Sequence, residues 1–335
     1  MSAHAPSADT IFVAGFGRSG TNWLLNLLDL HPATHCRNEP DAYATSPFRR
    51  LPSHERQVRA EEFAPLWDAA VQWASDHYGD RDRLPRRPKS YLRARSARLK
   101  AFRLLEKRRL RSWLGLATPA LRNAEFGIPP WLDASDALER ARHVLKLNDR
   151  HGWYAFLMAH RPGTRVVHLV RHPGGVLQSW RRRWLARHDP EQVRRGCIDR
   201  LRRIAEGDRH WAERFGDLEQ ASTEGAELWY WRYSTEHMCR SGAGRPGYKR
   251  VLYEQLVADP EGELREVYAH CGLSWDASIA LALHAQAGAG EAAPWYERVP
   301  VDASAASGWR AGASREDLEL IERVLEGSPL RQFWS

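Results

Sequence analysis

A loop with three glycines, two hydroxyl side chains and one arginine is the segment of this sequence best suited to bind phosphate. It reads Gly15-Phe16-Gly17-Arg18-Ser19-Gly20-Thr21 and lies between a β-branched run and an apolar stretch with helical spacing. In such a loop the backbone N–H groups and the N-terminus of the following helix bind phosphate oxygens. Arg18, Ser19 and Thr21 add side-chain donors. The loop therefore predicts a site for a ligand that carries phosphate.

Two phosphate-binding patterns fit these glycines. Gly15, Gly17 and Gly20 match the GxGxxG pattern of dinucleotide sites, and Gly15 and Gly20 also match the GxxxxG frame of a phosphate-binding loop. A dinucleotide loop keeps small or apolar residues so that its helix can pack on the strand. Glu39 lies about where a ribose-binding acid belongs, but a polar loop precedes it and we expect no strand to end there. The phosphate-loop interpretation is favoured, with an NAD- or FAD-dependent oxidoreductase as the alternative.

The loop differs from that of a kinase or an ATPase. It lacks the lysine of the GKT or GKS pattern, and no expected strand ends in an aspartate placed to hold magnesium. The strand VVHLV ends instead in Arg171. Arginines without metal carboxylates suit a nucleotide whose transferred group needs less charge neutralisation than a phosphoryl group. We expect no metal, and a magnesium-dependent kinase is a further alternative.

Short apolar runs that alternate with helical patterns are expected to position this loop. They predict an α/β fold with a doubly wound parallel sheet. The expected strands are residues 10–15, 143–147, 165–170 and 249–253. The expected helices are residues 23–30, 153–160, a helix from about Pro173, more helix through 191–241, then 261–271 and 314–326 after its Ser314 cap.

The length of 335 residues, 43% of them hydrophobic, fits one large domain over residues 1–335. Residues 53–125 are polar and rich in arginine, and we interpret them as a helical insertion that forms the acceptor pocket or its lid. The four cysteines form no CxxC pair, which argues against a disulfide scaffold and a cysteine-rich zinc site. No leader pattern or long apolar run is present, so we expect a cytoplasmic protein.

The net charge of +8 is concentrated in one segment. Residues 81–111 hold fourteen basic and two acidic side chains. The segment fits an amphipathic helix with a solvated arginine face, or a contact with an anionic partner. A membrane surface, to which the protein would bind peripherally, an acidic acceptor and nucleic acid are the candidate partners. Because no nucleic-acid motif accompanies the segment, we expect no specific nucleic-acid binding, and a non-catalytic anion-binding module is the remaining alternative.

Four motifs in order resemble the sulfotransferases that use 3′-phosphoadenosine 5′-phosphosulfate (PAPS). GFGRSGTNWLLNLLDLHP resembles the family's 5′-phosphosulfate loop, and VVHLVRHPGGVLQSW resembles its 3′-phosphate motif. YKRVLYEQLVADPEGELREVYAHCGL and Gly308-Trp309-Arg310 resemble two later elements. The resemblance spans residues 11 to about 326 without the insertion. It is closer to the carbohydrate and tyrosylprotein type than to the cytosolic Lys-x-His type.

The resemblance implies a role for each matching residue. The residues that would hold the 5′-phosphosulfate share the glycine loop and the start of its helix: Arg18, Ser19, Gly20, Thr21 and Asn22. Trp23 would stack on the adenine. Arg171 and Ser179 would bind the 3′-phosphate.

Three later residues complete the nucleotide site that the resemblance implies. Trp309 and Arg310 would close over the 3′-phosphate or the adenine from a C-terminal loop. Tyr253 would either touch the nucleotide or serve as a core tyrosine at a strand end. The product of such a site is adenosine 3′,5′-bisphosphate (PAP).

Sulfuryl transfer needs an activated acceptor oxygen and positive charge on the leaving phosphate. Lys146 is one of only five lysines in the chain, and with Arg18 it would supply positive charge beside the sulfuryl group. Asn148 stands where the cytosolic enzymes have their histidine base, and an amide cannot accept a proton. The carbohydrate and tyrosylprotein enzymes place an acid soon after the HP motif, which indicates Glu39 as the general base. The reserve candidates are Asp149 and His151.

The acceptor is less defined than the donor. The pattern leans toward an alcohol hydroxyl on a carbohydrate, a lipid-linked molecule or a natural product, with a phenol as the alternative. We expect residues 38–53 and the insertion to form its pocket. The aromatic residues there would either line that pocket or pack helices: Trp67, Trp73, Tyr78, Trp113 and Trp131. The oligomeric state is not readable from the sequence.

Overall fold

The computed structural model describes residues 10–53, 59–78, 89–91, 126–127, 141–287 and 304–334. Its strands are β1 (Ile11–Gly15), β2 (Thr34–Asn38), β3 (His77–Tyr78), β4 (Phe126–Gly127), β5 (Arg142–Asn148), β6 (Arg165–Val170) and β7 (Tyr248–Leu252). Five strands form one parallel sheet in the order β2-β5-β1-β6-β7, and β3 pairs antiparallel with β4. This sheet confirms the predicted α/β fold class.

Helices cover both faces of the sheet. They are α1 (Thr21–Leu28), α2 (Ala60–Asp76), α3 (His151–His160), α4 (Pro173–Arg183), α5 (Pro190–Gly207), α6 (Arg209–Phe215), α7 (Thr223–Gly242), α8 (Tyr253–Ala258), α9 (Pro260–His270), α10 (Ala277–Ala287), α11 (Ser304–Ser307) and α12 (Arg315–Leu325). One face packs on α1, α8, α9 and α10, and the other packs on α2 and α3. A third apolar cluster joins α4, α5, α6, α7 and α12. The alternation of strands and helices explains this layering.

Strand β2 is the main element that the sequence pattern failed to predict. The segment THCRN is polar, yet His35 and Arg37 are fully buried. His35 forms hydrogen bonds with the Tyr91 hydroxyl at 3.1 Å and the Ser75 carbonyl at 3.0 Å. Arg37 donates to the Ala74 carbonyl at 2.9 Å. Because buried hydrogen bonds replace apolar packing here, the strand shows no hydrophobic alternation. Our expectation that no strand ends before Glu39 was therefore wrong.

The first part of the predicted insertion is a structural layer of the fold. Helix α2 packs on the sheet, and Trp67 is fully buried between the rings of Phe12, Phe48 and Phe63. Trp67 is thus a packing residue rather than a pocket lining. Trp73 is partly buried beside Tyr43, with ring centroids 6.3 Å apart. Trp113, Trp131 and most of residues 81–111 lie outside the described residues. One domain with a lid remains a prediction.

Helix boundaries differ where local caps interrupt a long polar run. The stretch 191–241, expected to be helical, is three helices, α5, α6 and α7. The Asp208 side chain accepts from the backbone N–H of Trp211 and starts α6. Gly216 has a φ of 63°, which favours glycine, and ends α6. The Ser314 cap of α12 is present as predicted, in a capping box with Asp317.

Candidate active site

The glycine loop connects the end of β1 to α1 at the carboxyl edge of the sheet, where α/β proteins bind ligands. Arg18 has a φ of 72° and Gly20 a φ of 94°. A Cβ at Gly20 would lie 2.8 Å from the Tyr253 ring, so the loop requires glycine there. The Ser19 hydroxyl is buried and has no hydrogen-bond partner among the described residues. A buried hydroxyl of this kind fits a ligand that accepts from it.

Three residues predicted for the nucleotide lie together beside the loop. Arg18 Nε donates to Ser179 Oγ at 3.2 Å, and an Arg171 Nη donates to the Arg18 carbonyl at 3.1 Å. Arg171 lies along the first turn of α4, where a Cβ at Gly175 would come within 2.6 Å of its Nε. Gly175 and Ser179 are four residues apart and share one face of α4. The strand end and the helix therefore bring Arg171 and Ser179 to one place.

Burial and neighbouring positive charges lower the pKa of Arg18 to about 10. After burial, Arg183 is the largest contributor, followed by Arg171, with a smaller effect of Arg187. Crowded arginines in a partly buried site are favourable for an anion such as a phosphate. Sequence motifs missed Arg183 and Arg187. Arg183 lies four residues after Ser179, so the helical repeat was a signal that could have placed it on this face.

Tyr253 and Trp23 form an aromatic wall under Arg171. The Arg171 guanidinium lies 4.2 Å above the Tyr253 ring, and Trp23 meets that ring edge-on at 6.0 Å. Both aromatic side chains are at most 7% exposed and belong to the core cluster of α1. Burial and the adjacent Glu254 raise the pKa of Tyr253, against the opposing effect of Arg171. Tyr253 thus supports the position of Arg171, and adenine stacking by Trp23 stays a prediction.

The C-terminal residues predicted to close the site pack on the start of α4. The Trp309 ring stacks on His172 with centroids 4.4 Å apart at 18°. Gly174 leaves the space for this ring, because a Cβ there would lie 2.3 Å from it. Arg310 is exposed, with its guanidinium 5.3 Å from the Trp309 centroid. Burial, Arg310 and Arg171 lower the pKa of His172 to about 4.

Glu39 lies on the other side of the loop, directly after β2, at the centre of a hydrogen-bond network. Its Oε1 accepts from Lys146 Nζ at 2.6 Å and from Asn148 Nδ2 at 2.8 Å. Its backbone has a φ of 51°, and its N–H donates to the Lys146 carbonyl at 2.9 Å. The Glu39 side chain is 22% exposed, whereas that of Lys146 is 1% exposed. Glu39 is therefore held firmly while part of it still faces outward.

Lys146 donates to three side-chain oxygens of this chain. Besides Glu39, its ammonium contacts Asn22 Oδ1 at 2.6 Å and Asn38 Oδ1 at 2.9 Å. An ammonium has three donors, so these contacts use its full capacity. In this arrangement Lys146 orients Glu39, Asn22 and Asn38, and its direct contact with a sulfuryl group stays a prediction. That contact would require one of these hydrogen bonds to be exchanged.

Asn148 links Glu39 to the glycine loop. Its Oδ1 accepts from Thr21 Oγ1 at 3.0 Å while its amide donates to Glu39. Asn148, at the position where a histidine would be expected, thus hydrogen bonds with both Thr21 of the loop and Glu39. Of the reserve bases, Asp149 accepts from the Gly17 N–H at 3.1 Å. His151 is buried among Tyr230, Tyr233 and His237. The structure places Glu39 and Lys146 next to the loop that contains Arg18. It places His151 in an aromatic cluster.

A model of the Sulfotransferase family matches residues 10–277 of this sequence. The match covers most of the chain and includes the glycine loop, Glu39, Lys146 and Arg171. The chain belongs to the Sulfotransferase family. It is a PAPS-dependent enzyme that transfers a sulfuryl group, and the alternative of a dinucleotide-dependent oxidoreductase is not supported.

Solved structures of sulfotransferases are distantly similar to the chain. A sulfotransferase domain from the curacin biosynthetic pathway is 13% identical, with 95% of this chain and 96% of that chain covered at a TM-score of 0.46. A sulfotransferase domain from the Synechococcus PCC 7002 olefin synthase is 15% identical, with 93% of each chain covered at a TM-score of 0.42. A mouse sulfotransferase complexed with PAP is 11% identical, with 97% and 88% covered at a TM-score of 0.42. The chain matches no curated protein in sequence.

Two further observations concern the described ranges alone. None of their helices is both long enough and apolar enough to cross a lipid bilayer. Within the same ranges, no three His, Cys, Asp or Glu side chains come together in a group that could hold a metal ion.

Proposed function

We propose that this enzyme sulfates an alcohol hydroxyl of a polar acceptor, with Glu39 as the general base. The observation that carries the proposal is the contact of Glu39 with Lys146 and Asn148, which holds the carboxylate beside the glycine loop. The Thr21–Asn148 hydrogen bond connects the same carboxylate to the start of α1. In this arrangement the base can act on the acceptor hydroxyl while the phosphate-binding loop holds the leaving phosphate of the same displacement reaction.

The nucleotide half of the proposal assigns a phosphate group to each side of the loop. The 5′-phosphosulfate would be held by the loop N–H groups with the side chains of Arg18, Ser19 and Thr21. The buried Ser19 hydroxyl and the lowered pKa of Arg18 support an anion at this place. Arg171 and Ser179 would hold the 3′-phosphate, since both already hydrogen bond to Arg18.

The outer parts of the nucleotide would contact the aromatic residues. Trp23 and Tyr253 would border the adenine, while Trp309 and Arg310 would cover the 3′-phosphate from the C-terminal side. Gly20 would allow the backbone to approach the phosphate closely, and Asn22 would act through Lys146. The aromatic residues and Arg310 are assigned from their positions around Arg171 and His172. Asn22 is assigned from its hydrogen bond with Lys146.

In the proposed reaction, Glu39 takes the acceptor proton as the acceptor oxygen forms its bond to sulfur. The bond between sulfur and the bridging phosphate oxygen breaks at the same time. Arg18 and the loop N–H groups stabilise the charge that the phosphate keeps. Lys146 holds Glu39 in place throughout and balances its charge before the proton arrives. The transferred proton stays on the Glu39 carboxyl until solvent removes it.

Polar side chains next to Glu39 support an acceptor with several hydroxyl groups. Asp41 lies two residues after Glu39, and Arg150 lies two residues after Asn148. Two nitrogens of Arg150 donate to one Asp41 oxygen, at 2.8 and 2.6 Å. The Arg150 side chain remains 30% exposed. Such a pair offers hydrogen bonds to a carbohydrate or polyol, whereas a phenol needs chiefly an apolar slot.

The basic segment 81–111 fits a solvated arginine face or a contact for anions, and the contact for anions stays a prediction. Lys89 is its described cation, and its ammonium is buried against the carbonyls of Asp29 and His31 at 2.6 and 2.8 Å. This contact fixes one point of the segment at the C-terminal end of α1. We propose that the segment offers its other basic residues to an anionic acceptor or membrane surface, in a cytoplasmic protein.

Calorimetric titration tests the donor, and radiolabelled transfer tests the acceptor. In buffer with chelator, we expect micromolar binding of PAP and no binding of NAD or ATP. We then expect transfer of ³⁵S from labelled PAPS to glucosamine oligosaccharides or simple polyols in preference to 2-naphthol. Folded protein without PAP affinity would contradict the donor assignment. Preferential sulfation of 2-naphthol would contradict the acceptor class and leave the donor assignment intact.

A further inference from the structure

We infer that Asp149 is a positioning residue that fixes the glycine loop in the conformation that binds the 5′-phosphosulfate. The inference rests on the proposed function, because it concerns the loop that would hold the donor. The sequence pattern placed Asp149 among the reserve bases. Its contacts in the structure assign it a different task.

Asp149 contacts the loop at two points. Its backbone N–H donates to the Gly15 carbonyl at 3.1 Å, which extends the pairing of β1 with β5 by one residue. Its Oδ1 accepts from the Gly17 N–H at 3.1 Å. One residue thus holds both the Gly15 carbonyl at the start of the loop and the Gly17 N–H inside it. The phosphate-facing part of the loop begins at the next residue, Arg18.

The Asp149 backbone is itself in a restricted conformation. Its φ is 56°, in the left-handed region that Gly, Asn and Asp adopt most readily. A Cβ built on Gly17 would lie 3.5 Å from Asp149 Oδ2, so the carboxylate covers the loop closely. Aspartate combines tolerance of this backbone with an acceptor of the right length. A β-branched or bulky residue at position 149 would be strained in this left-handed backbone conformation.

The surroundings of Asp149 connect the loop to the helical layer behind it. The Tyr230 hydroxyl in α7 lies 3.5 Å from the Asp149 carbonyl, and the Arg200 guanidinium in α5 lies 4.2 Å above the Tyr230 ring. Arg200 also lies 3.7 Å from the buried carboxylate of Glu227. Burial raises the pKa of Asp149 to about 6, with Arg200 opposing the shift and Glu227 adding to it. At pH 8 the carboxyl is therefore ionised and accepts strongly.

A base role fits these contacts less well than a positioning role. One Asp149 oxygen, Oδ1, accepts from the Gly17 N–H, whereas the Glu39 side chain is 22% exposed beside Lys146. A preformed loop avoids the cost of ordering it when the ligand binds, and small displacements of binding groups reduce affinity and rate strongly. The expected effect of losing Asp149 is thus first on donor affinity.

Two substitutions at this position separate the side chain from the backbone. Asp149→Gly keeps the left-handed backbone and removes the acceptor, and Asp149→Asn keeps both. At pH 8 we expect the PAP dissociation constant to rise at least tenfold in Asp149→Gly and to stay within threefold of wild type in Asp149→Asn. Glu227→Gln is the matched control, a buried carboxylate that faces Arg200 without touching the loop. We expect this control to lower Tm while its PAP affinity stays unchanged.

The outcomes are distinguishable. Wild-type protein that does not bind PAP would contradict the proposed function itself. Wild-type binding with equal affinity in Asp149→Gly would overturn the positioning role. Asp149→Asn with normal affinity but no turnover would also overturn it and make Asp149 a base. If Asp149→Gly does not fold, hydrogen exchange of the Gly17 amide in wild type decides, because an unprotected amide would contradict the hydrogen bond to Asp149.

Discussion

On one side of the glycine loop, Arg18 and Arg171 lie together with Arg183 nearby, and burial together with these neighbouring charges lowers the pKa of Arg18. On the other side, one lysine faces one glutamate at 2.6 Å. We name these the nucleotide side (Arg18, Arg171, Ser179) and the acceptor side (Glu39, Lys146, Asn148). Positive charge is crowded on the first and balanced on the second. The loop separates the two.

This difference relates charge to the task of each side. Crowded cations become favourable when a polyanion binds, so the nucleotide side is suited to hold phosphates. In a balanced ion pair the two charges already compensate each other, so no anionic ligand is needed. The pair instead orients the carboxylate toward a neutral hydroxyl. The comparison therefore predicts that substitutions on the nucleotide side change donor affinity. Substitutions on the acceptor side should change turnover instead.

Glu39→Gln should have the largest effect. The amide keeps the size of the side chain but cannot take the acceptor proton, so we expect turnover to fall about 1,000-fold, within the usual range for loss of a general base. Transfer of ³⁵S from labelled PAPS to the best acceptor, or to water, measures it. Glu266→Gln, an exposed carboxylate paired with Lys249, is the control. A variant with wild-type turnover would assign the base elsewhere.

Arg171→Ala should weaken PAP binding about 100-fold, because charge-assisted hydrogen bonds contribute about 1.5–3 kcal/mol and more than one is lost. Calorimetry measures the change. The matched control is Arg209→Ala, an arginine whose side chain is 93% exposed on α6. Unchanged PAP affinity in Arg171→Ala would contradict the assignment of PAP binding to the nucleotide side.

Lys146→Met should lower turnover about tenfold and leave PAP affinity within threefold. The change removes the donor that orients Glu39 and leaves its charge partly buried, which we expect to lower the free energy of unfolding by about 3 kcal/mol. The double variant Lys146→Met with Glu39→Gln should regain much of the lost free energy of unfolding, since the uncompensated charge is then absent. A double-mutant cycle measures this interaction. Strictly additive losses would show that the two residues do not interact.

The smallest effect concerns His172 on the nucleotide side. Its pKa is lowered to about 4 in the folded protein, so between pH 6.5 and 4 the unfolded chain binds more protons. Stability should therefore fall as the pH falls through this window, and less so in His172→Gln. Because PAP adds negative charge beside Arg171, it should raise the pKa of His172. An NMR titration of the histidine ring with and without PAP measures the shift, and an unchanged pKa would place the anion elsewhere.

Local patterns in the sequence were sufficient to predict the positions of the apolar sheet strands. They also predicted that the glycine loop lies between a strand and a helix. The strand β6 and the helical spacing after it also brought Arg171 and Ser179 together, as the motif implied. These predictions succeeded because neighbours in sequence determine them. The spacing of residues along one helix or strand is fixed by its geometry.

Contacts between distant segments were beyond such patterns. Strand β2 was missed because His35 and Arg37 are buried by hydrogen bonds to residues far along the chain. The same limit applies to Asp149, whose contact with Gly17 spans 132 positions. The contacts of the Lys146 ammonium with Asn22 and Asn38, which share it with Glu39, were likewise not predicted. No residue type or spacing indicates such a partner before the fold is known.

The most direct test of the account is calorimetric titration of PAP into wild type, Arg171→Ala and Glu39→Gln side by side, with ³⁵S turnover measured on the same preparations. We predict that Arg171→Ala loses PAP affinity, and that Glu39→Gln binds PAP within threefold of wild type while its turnover is lost. Loss of PAP affinity in Glu39→Gln, or its retention in Arg171→Ala, would contradict the division of the site into a nucleotide side and an acceptor side.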